Sequence, residues 1–264
     1  MKQKNELNVL QEQLGHYDNI GHYQHDTEVF LDSKHALRLI GGRKGNPNAK
    51  EAWARHDVIG LVKYGPAVIR LYKMGYANNP YVDEILIKLE KRIEEAEDYF
   101  RKNNTYLKQL MQNIPSNTNV QVVKSAKPFH LKPNFGGNPY ANKGVLILAQ
   151  YDQMMTLMET CRAYGLLKRS KAHDIEYHGG RFVRRVFICP GEYLPCDITR
   201  DDIRNKNEKA LAIIEARGMP NEAVLAKKRL PEFGPQSIGS DESNENEVEE
   251  LLAALENMEQ MSQR

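Results

Sequence analysis

The sequence predicts a mainly α-helical fold with a small β component. Two observations predict the helices. Apolar residues recur with a 3-4 heptad rhythm after Asn79, and a segment from Tyr140 to Leu167 is rich in Leu, Ile and Met. A third observation predicts the β component, because residues 27–40 alternate between apolar and basic side chains. With 264 residues, the chain is long enough to bury a substantial core.

The alternating segment, residues 27–40, has the pattern of a half-buried strand. Strand side chains point to opposite faces with period 2, so one face can be buried while the other meets an anionic partner. The basic face carries Lys34 and Arg38, and Arg43 and Lys44 follow directly. A two-stranded ribbon fits the major groove of DNA, so Lys34 and Arg38 are candidate base-reading residues. An ordinary strand with a solvated outer face is the alternative. The apolar face comprises Val29, Leu31, Leu37 and Leu39.

Two helices are expected after this strand. The first runs from about Glu51 to Tyr76, with a break or bend at Gly65-Pro66. The second begins at Asn78-Asn79-Pro80, which supplies an N-cap and a proline for the first turn, and it ends before Pro115. Its apolar seam requires a long partner, which could be another helix of this chain or the same helix of a second copy. The seam comprises Val82, Leu86, Leu89, Ile93, Ala96, Phe100, Leu107, Leu110 and Ile114.

The remaining body is expected to be largely helical. Residues 119–133 form an extended segment with Val120, Val122 and Phe129, and the helix over 140–167 follows. Shorter helices are expected near 171–188, 199–217 and 220–229.

Three parts of the chain differ in composition. Residues 1–26 form a polar arm. Residues 27–235 form a helical body, in which the predicted DNA-binding segment spans about residues 27–113. Residues 236–264 form a linker with an acidic amphipathic tail. The tail could dock RNA polymerase or another regulator, or it could be a solubilising segment. The arm carries three histidines that no Cys or acidic cluster completes into a metal site, namely His16, His22 and His25.

The charge of the chain is distributed unevenly. Residues 241–264 hold eight acidic residues and one basic residue, a net charge of −7. The rest of the chain therefore keeps 36 of the 37 basic and 27 of the 35 acidic residues, a net charge of about +9. A basic body favours a nucleic-acid partner, because cations neutralise phosphates and release counterions.

Composition also favours a cytoplasmic protein without a membrane segment. The longest apolar run, Val145 to Ala149, is far shorter than a membrane span, and the first residues lack an apolar signal core. The three cysteines are too few and too irregularly spaced for a disulfide framework.

The sequence contains no pattern that predicts catalysis. We find no Gly-rich phosphate loop, no zinc-spaced Cys/His set and no nucleophile elbow. The expectation is therefore a non-enzyme without catalytic residues, bound metal or cofactor.

A second basic cluster lies near residue 180. Arg181, Arg184 and Arg185 are spaced to share a helix face, which suits contacts along a phosphate backbone. A solvated or ion-paired helix face is the alternative. Asn78 and Asn79 are further candidates, because exposed amides at a helix N-terminus can hold a DNA phosphate. Arg43 and Lys44 complete the predicted phosphate-contacting set.

Several segments together resemble the AcaB-like transcriptional regulators of conjugative plasmids and integrating conjugative elements. The resemblance covers about residues 27–235, and it depends on the order of its motifs, none of which is diagnostic alone. The motifs are His35-Ala36-Leu37-Arg38-Leu39, Val58-Ile59-Gly60-Leu61, Asn79-Pro80-Tyr81, Leu146 to Tyr151 with Asp152-Gln153, Gly179-Gly180-Arg181, and Thr199-Arg200-Asp201-Asp202-Ile203.

This resemblance implies a homodimeric ribbon-helix-helix protein that binds double-stranded promoter DNA and activates conjugative-transfer genes. The ribbon would lie around Ser33 to Ile40, and the helices after Arg55 and after Asn79. The long loop over residues 41–52 departs from the compact ribbon-helix-helix pattern. A different hypothesis is a structural or adaptor protein of the conjugative element, which would act through the heptad helix and the acidic tail.

Overall fold

The computed structural model describes residues 27–48, 50 and 56–235. The predicted N-terminal arm, the predicted acidic tail and the start of the predicted first helix at residues 51–55 lie outside these residues. No helix of the described part combines the length and the apolar character that crossing a bilayer requires.

The described chain is mostly helical, as the sequence predicted. Four very short strands pair into two small antiparallel sheets, β1 with β4 and β2 with β3. The strands are β1 (Val29–Leu31), β2 (Gly42–Arg43), β3 (Val58–Ile59) and β4 (Phe129–Leu131). The helices are α1 (Lys34–Gly41), α2 (Leu61–Gly75), α3 (Pro80–Met111), α4 (Pro139–Ala163), α5 (Arg169–Ile188), α6 (Arg200–Asn205), α7 (Glu208–Arg217) and α8 (Glu222–Leu225).

The prediction of one strand over residues 27–40 is wrong beyond Leu31. Ser33 caps a helix there, because its Oγ accepts a hydrogen bond from the backbone N–H of Ala36 at 3.1 Å. Ala36 and Leu39 are buried three residues apart, which is helical spacing, and most residues of α1 favour a helix. Lys34 and Arg38, four residues apart, would share a face in a strand and in a helix alike, so the short segment was ambiguous.

The strand that pairs with β1 belongs to the same chain. In the antiparallel register, Val29 lies opposite Leu131 and Leu31 lies opposite Phe129. A second protomer is therefore not needed to supply the partner strand of β1. The segment predicted as the ribbon, Ser33 to Ile40, is mostly α1, so Lys34 and Arg38 lie on a helix and not on a strand.

Helix α3 confirms the strongest sequence prediction. Asn79 Oδ1 accepts the backbone N–H groups of Tyr81 and Val82, and Pro80 is the first helical residue. Its predicted seam is buried mainly against α4 and α5 of the same chain. The partner of the seam is therefore this chain's own core. The buried seam residues are Val82, Leu86, Leu89, Ile93, Ala96, Phe100 and Leu107.

Helix α2 begins later than predicted, at Leu61, because Val58–Ile59 forms β3. The helix continues through Pro66 without interruption. The predicted helix over 199–217 is divided into α6 and α7 by Lys206, whose φ of 51° is left-handed.

A second, smaller core joins α6, α7 and α8 to the start of α3. At its centre Arg200 is fully buried and forms an ion pair with Asp83, at 2.6 Å between Nη2 and Oδ2. Arg200 also donates to the side-chain oxygen of Asn78 and to the carbonyl oxygen of Val224. The buried guanidinium thus links the turn before α3, helix α3 and helix α8.

Gly42 and Gly60 approach each other closely and allow the hairpin of β2 and β3 to form after α1. At Gly60, a Cβ would lie 2.3 Å from the backbone N of Gly42 and 2.4 Å from the carbonyl oxygen of Ile40. Real Cβ atoms do not approach backbone atoms so closely, so the hairpin would have to open.

We expect Gly60→Ala to lower the free energy of unfolding by about 1–3 kcal/mol, the usual range for overpacking. Urea unfolding followed by circular dichroism measures the loss. Gly41→Ala is the matched control, because a Cβ there meets nothing within 4 Å and a helical Ala is favoured over Gly. Equal stability of the two variants would contradict the close approach.

Candidate nucleic-acid interface

Asp152, a buried carboxylate of α4, fixes the N-terminus of α1. Its Oδ1 accepts the backbone N–H of Ser33 at 2.7 Å, and its Oδ2 accepts that of Asp32 at 3.0 Å. Asp32 in turn accepts the backbone N–H of Ser125 through Oδ1 at 3.0 Å. Helix α1 therefore has a defined position on the core, because hydrogen bonds to a charged acceptor are stronger than neutral ones.

Helix α1 presents its two predicted base-reading residues to solvent. Lys34 and Arg38 are exposed and lie one helical turn apart, while Ala36 and Leu39 face the core. The two cations share one face of the helix, as they were expected to share one face of a strand. Both periodicities bring them together, although the backbone that carries them differs.

Helices α1, α4 and α5 enclose a cleft of about 210 Å³. Two basic residues that are distant in sequence, Arg38 of α1 and Arg184 of α5, both line it. His35 Nδ1 lies 3.0 Å from Glu176 Oε1 across the same cleft. The lining residues are His35, Arg38, Leu39, Tyr151, His173, Glu176, Tyr177 and Arg184.

Arg184 is half-buried, and burial lowers the pKa of its guanidinium below the usual value. Burial raises the pKa of the Tyr151 phenol, and the positive charges of Arg184 and Arg38 oppose that rise. Both guanidinium groups are therefore close enough to act on the phenol. Gly180 provides the room, since a Cβ there would lie 3.0 Å from Arg184 Nη1 and 3.3 Å from Tyr151 Oη.

Arg181, Arg184 and Arg185, which were predicted to share one face of α5, have different surroundings in the structure. Arg181 is exposed and its charge acts on Arg184, so these two contribute to one positive surface. Arg185 points elsewhere, because its Nη2 forms an ion pair with Glu95 Oε2 of α3 at 3.0 Å. For Arg185, the alternative of an ion-paired helix face describes the observed contact.

The hairpin of β2 and β3 packs against both α1 and α5. Arg43 on β2 donates from Nη2 to the carbonyl oxygen of His56 at 3.4 Å, and Lys44 beyond it is exposed. The predicted cations Arg43 and Lys44 thus belong to a hairpin held by the helices that carry Arg38 and Arg184. We call five basic residues of these three elements the basic face: the exposed Lys34, Arg38, Lys44 and Arg181 and the half-buried Arg184.

Asn78 and Asn79 are not part of the basic face, and their prediction as phosphate contacts does not fit the structure. Asn79 is 3% exposed, and its Nδ2 donates to the carbonyl oxygen of Cys196 at 2.8 Å while its Oδ1 caps α3. The side chain and carbonyl oxygens of Asn78 accept hydrogen bonds from Arg200. Both side chains already form hydrogen bonds within the protein, because the second core covers this helix N-terminus.

Asp152 and the tyrosines of the cleft are the site residues that the sequence did not reveal. One signal was available for Asp152, because it is a single carboxylate inside the apolar stretch between Leu146 and Met158. Buried charges are rare unless they are paired. Its partners are backbone N–H groups more than a hundred residues away, and only the fold shows them.

No group of His, Cys, Asp and Glu residues within the described ranges is arranged to hold a metal ion. The three cysteines are buried and unbonded to one another. Burial raises the pKa of the Cys189 thiol to about 11, so this thiol is protonated at neutral pH.

Comparison with known proteins identifies the family. Residues 19–237 match the family model described as transcriptional regulator AcaB. A crystal structure of selenomethionine-containing AcaB from uropathogenic E. coli aligns with 77% of this chain and 95% of that chain, with 12% sequence identity and a TM-score of 0.46. Comparison with curated proteins gives no match. The assignment depends on the family model, which spans most of the sequence. The chain belongs to the AcaB family of transcriptional regulators.

Proposed function

We propose that this protein is a sequence-specific DNA-binding regulator that activates conjugative-transfer genes in the cytoplasm, without catalytic activity. Its family supports regulation in general. The observation that supports DNA binding most directly is the basic face, where Arg38 of α1 and Arg184 of α5 line one cleft. Clustered cations on a single surface provide the electrostatic attraction that nucleic-acid binding requires.

Within this proposal, α1 reads bases and the surrounding residues position phosphates. Lys34 and Arg38 project from the outer side of a helix, and a helix fits the major groove as a ribbon does. Arg38 suits the two acceptors of guanine, since its guanidinium can donate two parallel hydrogen bonds. Lys44, Arg181 and Arg184 would contact the backbone, with Arg43 beside them on the hairpin. Arg185 would contribute less, because Glu95 already pairs with it.

We expect Arg38→Ala to lower the affinity for a specific promoter site by about 1–3 kcal/mol and to relax sequence preference. Fluorescence anisotropy with labelled promoter fragments from the protein's own element measures both effects. Arg204→Ala is the matched control, since it removes an equal charge from α6 in the second core, where Arg204 pairs only with Asp201 in the described part. Equal affinities for Arg38→Ala and wild type would exclude base reading by Arg38.

We further propose that the regulator acts as a homodimer, as the resemblance to ribbon-helix-helix proteins implies. The second edge of β1 has no strand beside it among the described residues, so it could pair with another copy. Light scattering after size exclusion would then give twice the 30.3 kDa mass of the chain. A mass of one chain, alone and on DNA, would contradict the dimer.

The most specific parts of the proposal are that the protein activates transcription and that its acidic tail contacts a protein partner. The acidic tail, which could contact RNA polymerase or another regulator, lies outside the described residues. A reporter fused to a conjugative-transfer promoter should lose activity when the protein is deleted and regain it on complementation. An increase on deletion would indicate repression. Tight protein partners without sequence-specific DNA binding would instead favour a structural or adaptor protein.

A further inference from the structure

Arg184 lacks a carboxylate partner of the kind that the buried Arg200 and the half-buried Arg92 have. Arg200 pairs with Asp83 at 2.6 Å, and Arg92 pairs with Glu192 at 2.8 Å. No ion pair or hydrogen bond of the Arg184 guanidinium is formed with any residue in the described ranges. Withdrawing a charged group from water is unfavourable unless hydrogen bonds replace the lost hydration. A half-buried arginine at the wall of a cleft is therefore poised for an anion from outside the fold.

The surroundings of Arg184 fit the same conclusion. Arg38 lines the cleft from the other side, and the Tyr151 hydroxyl can donate a hydrogen bond. His173 is a third nitrogen donor on the wall. Glu176 is the opposing charge, and it is already engaged by His35 at 3.0 Å. The cleft volume of about 210 Å³ exceeds several times the roughly 30 Å³ occupied by one water, so a tetrahedral anion has room.

We propose that this cleft binds one phosphate group, held by the guanidinium group of Arg184 with the Tyr151 hydroxyl as a further donor, while the positive charge of Arg38 at the exposed wall attracts the anion and its donors remain available to a base. A phosphodiester of DNA and a phosphorylated small molecule offer the same chemistry, because arginine donates two hydrogen bonds to either. In its DNA form the inference rests on the proposed function. A phosphate enclosed in this way contacts less water than one on an open surface, so its contacts are stronger and fix the register of the protein on the duplex.

The test with DNA uses promoter fragments in which one phosphate at a time is replaced by an uncharged methylphosphonate. For the wild-type chain, we expect one position to lower affinity by about 10- to 100-fold, the loss of a charge-assisted contact. In Arg184→Gln this position should lose its effect. In Arg181→Gln it should keep its effect, because Arg181 is exposed outside the cleft on the same helix. Equal sensitivity in wild type and Arg184→Gln would overturn the DNA form.

The test with free anions keeps this inference separate from the proposed function. Inorganic phosphate and pyrophosphate are titrated against the full chain, with tyrosine fluorescence and thermal unfolding as readouts. Binding to the wild type that Arg184→Gln loses would support a phosphorylated small molecule, even if the protein binds no DNA. Failure of both the free anions and the methylphosphonate position would overturn the proposal, whether or not DNA binding itself is observed.

Two further measurements distinguish a loss of phosphate binding from misfolding of the variant. Arg184→Gln should retain the circular dichroism spectrum of the wild type, because its guanidinium supports no hydrogen bond within the described fold. Arg184→Lys keeps the charge but removes the forked donor, so it should recover part of the sensitivity to the methylphosphonate position. If Arg184→Lys behaves like Arg184→Gln and both bind as tightly as wild type, the cleft does not bind phosphate.

Discussion

Replacing Arg200 by methionine is expected to lower the free energy of unfolding by about 3–5 kcal/mol, the range for breaking a buried ion pair. Arg200 is 0% exposed and Asp83 is 6% exposed, so the variant leaves a carboxylate buried without its cation. The carbonyl oxygen of Val224 and the side chain of Asn78 lose their donors as well. Because α8, α3 and the turn before α3 meet at this side chain, all three should loosen together. Urea unfolding of the full chain measures the loss.

A double variant separates the lost ion pair from lost packing. Arg200→Met with Asp83→Leu removes both charges, so it should be more stable than Arg200→Met alone by at least about 1 kcal/mol, since apolar pairs can replace buried ion pairs. Arg204→Ala, an exposed change on the same helix, should remain within about 0.5 kcal/mol of wild type. A loss below about 1 kcal/mol for Arg200→Met would contradict the central position of the guanidinium.

The second large effect is expected at Asp152, which holds α1 on the core. Asp152→Ala leaves the backbone N–H groups of Asp32 and Ser33 without their acceptors, a loss of about 2–4 kcal/mol in unfolding free energy. The exposed fraction of Asp152 is 5%, so the residue itself could not touch DNA. Promoter affinity should nevertheless fall, because Lys34 and Arg38 would lose their fixed position.

Gln153→Ala provides the matched control, since Gln153 is the exposed neighbour on α4. Its stability and promoter affinity should equal those of the wild type. Asp152→Asn keeps one acceptor oxygen and should lie between the wild type and Asp152→Ala. Unchanged stability and affinity in Asp152→Ala would show that α1 is positioned by other contacts.

The sequence predicted α3 well and α1 poorly, and the difference has a physical cause. In α3, the capping Asn79, the following Pro80 and a seam over many turns all favour the same helix. In α1, eight residues offer too few turns to distinguish period 2 from helical period, and the side chain of Ser33 decides the outcome locally. The heptad seam could not identify its partner, because α4 and a second copy of α3 satisfy it equally in sequence.

The candidate site shows the same limit. Cation positions follow from the sequence alone, so the clusters at Arg38 and Arg184 were both found. Their meeting at one cleft depends on how α1, α4 and α5 pack, and no local pattern contains that information. Similarly, Asn79 was correctly placed at a helix N-terminus, but its burial depends on Cys196, which lies in a distant segment.

The most direct test of the DNA-binding proposal is fluorescence anisotropy of the full chain on promoter fragments of its own element and on scrambled fragments, over a series of salt concentrations. We expect the affinity for a promoter fragment to be about 10³-fold or more above that for the scrambled control, as for sequence-specific DNA-binding proteins. Affinity should fall as the salt concentration rises, because binding of the basic face displaces counterions from the DNA phosphates. Weak and equal binding to both kinds of DNA would contradict sequence-specific DNA binding and favour an adaptor that acts through protein contacts.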